Sequence, residues 1–229
     1  MTKVRVVDPT TPDPTVIEEA CHVLAEGRLV AFPTDTLYAL GADALREEAV
    51  ARVFWAKGRR PEKPITVLVA DLEMAASLVE EIPPIARRLS ARFWPGPLTL
   101  VLKARPVLPP SLTAGTGRIG IRVPGLPLAR VLIQGAGRPL TGTSANLSGG
   151  QDPRHVQDVL RDLGGRIELI LDGGPVPLGI PSTILDLVEE PPALLREGAI
   201  RQGELGAHYF LDKSGRTGYT SFLDVDELL

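Results

Sequence analysis

Apolar positions along this chain switch repeatedly between the two periods that separate strands from helices. Val4, Val6 and Val7 predict a short opening strand. Val16, Ile17, Ala20, Cys21 and Leu24 recur at three- and four-residue spacing and form one helical face. Asp13-Pro14 starts that helix with a capping acid and a first-turn proline, and Gly27 stops it. Arg28–Phe32 reads as a strand broken at Pro33, and Glu47–Ala56 as a helix with Val50, Val53 and Phe54 inward. Ile65–Ala70 has almost no polar content, as a strand buried on both faces should. Helices follow from Asp71 to about Glu80 and from Pro83-Pro84 to Trp94, then strands Leu98–Lys103 and Arg118–Val123. The rest predicts a helix Pro127–Gln134, a strand end Leu140–Asn146, a helix Pro153–Leu163, and strands Ile167–Leu171, Ser182–Val188 and Leu194–Arg196. Strands alternating with helices give an α/β class. One domain is expected over residues 1–210, with residues 211–229 as a C-terminal tail that either extends loosely or folds over the site.

Composition narrows the function more than the fold. The chain has 229 residues and a formal net charge of −3, 4% aromatics and one cysteine. The core must therefore be aliphatic, and an intrachain disulfide is excluded. His22, His155 and His208 are far apart and no Cys/His cluster exists, which argues against a structural zinc site. No apolar run reaches the length of a membrane span, so no membrane contact is expected and a cytoplasmic location is the default reading. Against the acidic total stands one cationic knot: Lys57, Arg59, Arg60 and Lys63 with Glu62, net +3 in seven residues. That contrast suggests a local anion site, whereas a solvated loop is the bland alternative.

Polar residues collect where predicted strands end: Thr34-Asp35-Thr36, Arg122 before Val123-Pro124, Thr143-Ser144-Ala145-Asn146, Ser182-Thr183, and Arg196. Ligands of open α/β sheets bind outside strand ends. Hydroxyls, an amide and arginines there suit a phosphate together with a carboxylate, since the guanidinium fork pairs with both. Walker and Rossmann glycine patterns are absent. Gly142-Thr143-Ser144-Ala145-Asn146 lacks the second glycine of a nucleophile elbow, and Asp35, Asp43, Asp172 and Asp186 read as turn or cap acids. The chemistry that remains is positioning and charge neutralisation of anionic substrates.

At these residues the sequence resembles the YrdC-type threonylcarbamoyl-AMP synthase family. The carriers, in order, are Pro33-Thr34-Asp35-Thr36 with Leu37-Tyr38-Ala39-Leu40-Gly41; Lys57-x-Arg59 with Lys63-Pro64; Trp94-Pro95-Gly96-Pro97-Leu98-Thr99; Ile121-Arg122-Val123-Pro124; Thr143-Ser144-Ala145-Asn146-Leu147-Ser148-Gly149; Pro181-Ser182-Thr183; and Leu195-Arg196-Glu197-Gly198. The resemblance implies a YrdC-like twisted mixed β-sheet flanked by helices around a deep basic cavity. It implies an enzyme, a nucleotidyltransferase that makes threonylcarbamoyl-AMP and pyrophosphate from ATP, L-threonine and bicarbonate with Mg²⁺ accompanying ATP. The product serves the tRNA adenosine beside the anticodon, through tRNA-modifying partner proteins. By the same resemblance Lys57 and Arg59 are catalytic; Lys57, Arg59, Ser144, Asn146 and Arg196 bind ATP; and Thr36, Arg122, Ser182 and Lys63 bind threonine. No protein-held metal is implied. The chain departs from the pattern at Ala39, where many members have Gly; at Arg60, where many have Pro; and at Lys63, where many have His. Two other readings stand beside it: an RNA-binding module of the same fold, and a related carbamoyl or nucleotide transferase with a different substrate.

Overall fold

The computed structural model describes residues 1–209; the expected boundary at 210 and the tail 211–229 lie outside the described residues. In chain order the strands are β1 (Lys3–Val6), β2 (Val30–Pro33), β3 (Tyr38–Gly41), β4 (Val67–Leu68), β5 (Leu98–Lys103), β6 (Arg118–Arg122), β7 (Leu140–Thr141), β8 (Thr143–Ser144), β9 (Leu169–Asp172), β10 (Thr183–Asp186) and β11 (Ala193–Arg196). The helices are α1 (Pro14–Ala25), α2 (Glu47–Lys57), α3 (Leu72–Leu78), α4 (Pro84–Phe93), α5 (Pro110–Thr113), α6 (Pro127–Ala136), α7 (Val156–Leu163) and α8 (Gln202–Tyr209). The expected α/β class holds, with mixed sheets flanked by helices.

Two mixed sheets form among the described residues, in the orders β1-β9-β2-β3-β8 and β11-β10-β5-β6-β4-β7. The chain crosses from the second to the first between β7 and β8. Sequence reading makes this one continuous strand end, Leu140–Asn146; the structure divides it at Gly142. There Thr141 pairs with Val67 of β4, while Thr143 pairs with Leu40 of β3. The crossing needs a residue without a side chain, because a Cβ on Gly142 would lie 2.5 Å from Leu68 Cγ. The predicted strand Ile65–Ala70 is buried as expected at Ile65 and Val67–Ala70, but only Val67–Leu68 run in register; Ile65 N–H bonds instead to Leu112 O at 2.9 Å.

β3 is the strand that periodicity does not find. Its four residues are all buried, so no alternation marks it. The reversal before it is built by Thr34, whose Oγ1 donates to Leu37 O at 2.7 Å and whose N–H donates to the same oxygen at 3.1 Å. Pro33 then faces Tyr38 across the antiparallel pair. The Tyr38 hydroxyl donates to Gly174 O at 2.7 Å and tethers the pair to the end of β9.

The core is aliphatic, as the scarcity of aromatics requires. α1 buries Ile17, Ala20 and Leu24 in a cluster shared with Leu128, Leu132 and Ile133 of α6 and with Phe32 and Leu169 of the first sheet. Cys21 is only half-buried at that seam, not fully in the core. A larger cluster joins Leu40 and Ile170 of the first sheet to Leu98, Leu100 and Ile121 of the second. The two sheets are thus packed through side chains on both, which fixes the turn after β2 against the end of β6. No helix among the described residues is long and apolar enough to cross a membrane.

Candidate active site

A cavity of about 560 Å³ opens where the two sheets meet, and all nine residues singled out from the sequence line it: Thr36, Lys57, Arg59, Lys63, Arg122, Ser144, Asn146, Ser182 and Arg196. Arg60 adds a sixth cation, and among the described residues Asp152 is the single carboxylate in the lining. Gathering these charges from separate elements makes the cavity strongly positive on a chain whose total is negative.

The cationic knot is not a solvated loop throughout. Lys57 is the last residue of α2, only 2% exposed, and the left-handed Gly58 ends the helix behind it. Its Nζ donates to Ser144 O, to Asn146 O at 2.8 Å and to Asn146 Oδ1 at 3.1 Å. Asn146 is equally committed. Its Oδ1 also accepts from Ser144 Oγ at 2.7 Å, and its Nδ2 donates to Gly150 O at 3.1 Å and Gln151 O at 3.0 Å. An ammonium has three donors and an amide two donors and two acceptor sites, so these partners use the capacity of both groups. Lys57 and Asn146 therefore fasten the 144–151 loop to the end of α2. Arg59 is held at Nε by Lys63 O at 3.3 Å and at Nη2 by Pro64 O at 2.7 Å, leaving Nη1 without a bond among the described residues. Lys63 is half-buried at the cavity wall.

On the opposite wall Arg122 is 5% exposed at the end of β6. Its Nε donates to Gly96 O at 2.9 Å, Nη1 to Thr36 Oγ1 at 2.7 Å, and Nη2 to Asp35 Oδ1 at 2.5 Å. The Trp94–Pro97 segment thus serves by presenting the Gly96 carbonyl, and Trp94 itself is anchored by Nε1 on Leu98 O at 2.7 Å. Ser182 stands just before β10; its Oγ shares a hydrogen bond of 2.9 Å with Thr99 and accepts from Arg196 Nη2 at 3.2 Å. Arg196 Nε also donates to Ser182 O at 3.0 Å. The Ser182 hydroxyl and the Arg196 guanidinium of the two late motifs are therefore one bonded unit.

Burial without full compensation leaves these cations strained electrostatically. Desolvation, with the like charge of Arg59, pulls the Lys57 ammonium down to about 7, and Asp162 opposes it. Desolvation likewise lowers Arg59. It lowers Arg122, against the attraction of Asp35. It lowers Arg196, against Asp152 and with added repulsion from Arg122. An incoming anion relieves each of these penalties, so the cavity is pre-organised for negative charge.

Some lining or anchoring groups escaped sequence reading. Thr66, just before β4, and Thr99, in β5, lie within apolar stretches, where nothing marks their hydroxyls. Asp35 resembles any turn acid until Arg122 is folded against it. Among the described residues no cluster of three or more His, Cys, Asp or Glu could hold a metal ion.

The Sua5_yciO_yrdC family model, described as telomere recombination, matches residues 22–198. The threonylcarbamoyl-AMP synthase of Pyrococcus abyssi is 45% identical over 189 residues, covering 82% of this chain and 56% of the relative. That of Bacillus subtilis is 42% identical over 205 residues, covering 89% of this chain and 59% of the relative. The crystal structure of P. abyssi Sua5 complexed with L-threonine matches with a TM-score of 0.88 at 42% identity, covering 90% of this chain and 61% of that one. The chain thus spans under two thirds of the length of these relatives.

Proposed function

This chain belongs to the Sua5/YciO/YrdC family, and on that premise we propose that it is an L-threonylcarbamoyladenylate synthase, converting ATP, L-threonine and bicarbonate to threonylcarbamoyl-AMP and pyrophosphate. The product would pass to tRNA-modifying partner proteins for transfer to the tRNA adenosine beside the anticodon. The observation that carries the reading is the meeting of six cations and a set of hydroxyls from both sheets in one cavity, with the carboxylate-suited fork of Arg122 at one place and, at another, Arg59 beside the Lys57 charge and the 144–151 loop that Lys57 fastens. The likeness to P. abyssi Sua5 with L-threonine supports threonine as the amino acid.

The chemistry follows from charge. The threonine amine and bicarbonate condense to a carbamate with loss of water. That carbamate carries two negative groups and must approach a triphosphate. Coulomb repulsion between them is large in a partly dry cavity, and Arg59, Lys57 and Arg196 reduce it. Arg122, with Thr36 bonded to it and Ser182 in the same lining, holds the threonine carboxylate. A carbamate oxygen then attacks the α-phosphorus and pyrophosphate leaves. Bound magnesium would supply further neutralisation of the phosphates. With one carboxylate in the lining, Asp152, the donor set fits an ion carried in by the triphosphate and not one caged by the protein.

The test is pyrophosphate release with each substrate omitted in turn. Release is expected only with ATP, threonine and bicarbonate together. Equal release without threonine would favour a related transferase. No release at all, with RNA affinity that falls steeply as salt rises, would favour the RNA-binding module.

A further inference from the structure

Arg122 has five N–H donors, and three are taken by Gly96 O, Thr36 Oγ1 and Asp35 Oδ1. Among the described residues nothing takes the other two, which lie one on each terminal nitrogen, the pair a carboxylate needs for a two-pronged contact. Of the three anchors, Asp35 is the only anion. Its own side chain does not line the cavity. It stands in the turn after β2, in the first sheet, while Arg122 ends β6 in the second. Asp35 Oδ1 also accepts the Gly125 N–H at 2.7 Å, three residues beyond Arg122. One carboxylate oxygen therefore holds both the guanidinium and the backbone that follows it. The other oxygen, Oδ2, is buried without a hydrogen-bond partner among the described residues. Gly125 makes this possible: a Cβ there would lie 3.0 Å from Asp35 Cγ and 3.2 Å from Oδ2.

We propose that Asp35 is a positioning residue, which orients Arg122 so that its two remaining N–H groups face the substrate carboxylate. The inference rests on the threonine reading above and deepens it. Two consequences distinguish it from a merely structural ion pair. Asp35 and Arg122 together are neutral, so the pair holds its substrate by two directed hydrogen bonds and not by net charge. Recognition at this wall should then discriminate a planar carboxylate from an uncharged amide, and should lose that discrimination when Asp35 is gone. Second, disturbing Asp35 through Gly125 should act like a weak mutation of Asp35 itself.

The experiment has two arms on the full chain. In the first, calorimetry measures L-threonine, L-threoninamide and ATP binding to wild type, Asp35→Ala, Asp35→Asn and Gly125→Ala. Asp35→Ala is expected to weaken threonine at least about tenfold while changing ATP less than about threefold and threoninamide little. Asp35→Asn, which keeps an acceptor oxygen, and Gly125→Ala should fall between it and wild type. Equal losses for threonine and ATP, or unchanged threonine affinity, overturn the proposal. In the second arm, NMR of the Arg122 side chain without ligand should find separate, slowly averaging Nη signals in wild type that merge in Asp35→Ala. Unmerged signals overturn the proposal whatever the substrate. Absence of threonine binding in wild type, with merging in Asp35→Ala, would instead sink the threonine reading and leave the orienting role standing. If Asp35→Ala does not fold, Asp35→Asn and Gly125→Ala give both readouts.

Discussion

Arg122→Ala is expected to lose both threonine affinity and a large part of the stability of the fold. The affinity loss should reach at least about tenfold, the value of a missing ionic hydrogen bond, while ATP binding changes less than about threefold. The stability loss follows from what remains. Asp35 is 13% exposed at its side chain and would keep only the Gly125 N–H. Stranding one partner of a buried ion pair costs roughly 3–5 kcal/mol. Gly96 O and Thr36 Oγ1 would also lose a donor. Urea unfolding gives the stability change, and calorimetry the two affinities. Arg122→Lys keeps the charge but cannot serve three anchors and a fork at once, so it should lie nearer to Ala than to wild type. If Arg122→Ala weakens ATP and spares threonine, the wall belongs to the nucleotide and the division of the cavity is wrong.

The sequence makes the residues of this site legible but not their relations. Polar groups at apolar strand ends are conspicuous because a core has no use for them, and most of them line the cavity, though Asp35 and Thr183 do not. What periodicity cannot supply is partnership. Asp35 and Arg122 lie 87 residues apart, and Lys57 and Asn146 lie 89 apart. Only the folded chain reveals that the first pair shares an oxygen and that the second saturates itself. β3 escaped for a related reason: a strand buried on both faces shows no alternation, and its four residues directly after a turn make too short an apolar run to stand out as Ile65–Ala70 does. The division at Gly142 escaped because a single glycine in a strand signals a close approach without saying to what. The α/β class and most long elements were readable because amphipathic helices and apolar strands advertise themselves locally.

Lys57→Met should lower catalytic efficiency by about 10- to 150-fold, corresponding to roughly 1.5–3 kcal/mol, yet leave stability near neutral pH little changed. Loss of a residue from a solvated charged loop would spare the fold, because such a loop contributes little to a core. Lys57 is 2% exposed, so that reason fails and a balance replaces it. Removing the amine leaves Ser144 O and Asn146 O without their ammonium donor, at about 1–3 kcal/mol each. It also removes a cation whose burial lowers its pKa from 10.5 to about 7, a cost on the order of 5 kcal/mol. The two are of similar size and opposite sign. The balance depends on pH in a definite direction. Between about 7 and 10.5 the unfolded chain holds a proton on Lys57 that the folded chain has released, so wild-type stability should rise with pH across that window. Lys57→Met should lack that rise, whereas Arg59→Ala, with a similar loss of activity, should keep most of it, since desolvation is the larger cause and the like charge of Arg59 the smaller. Urea unfolding of the three proteins at pH 6, 7.5 and 9 measures the slopes. Parallel slopes in wild type and Lys57→Met would mean that the three oxygens around Nζ keep the ammonium fully charged, and the site would then owe its loop geometry to a permanent buried cation.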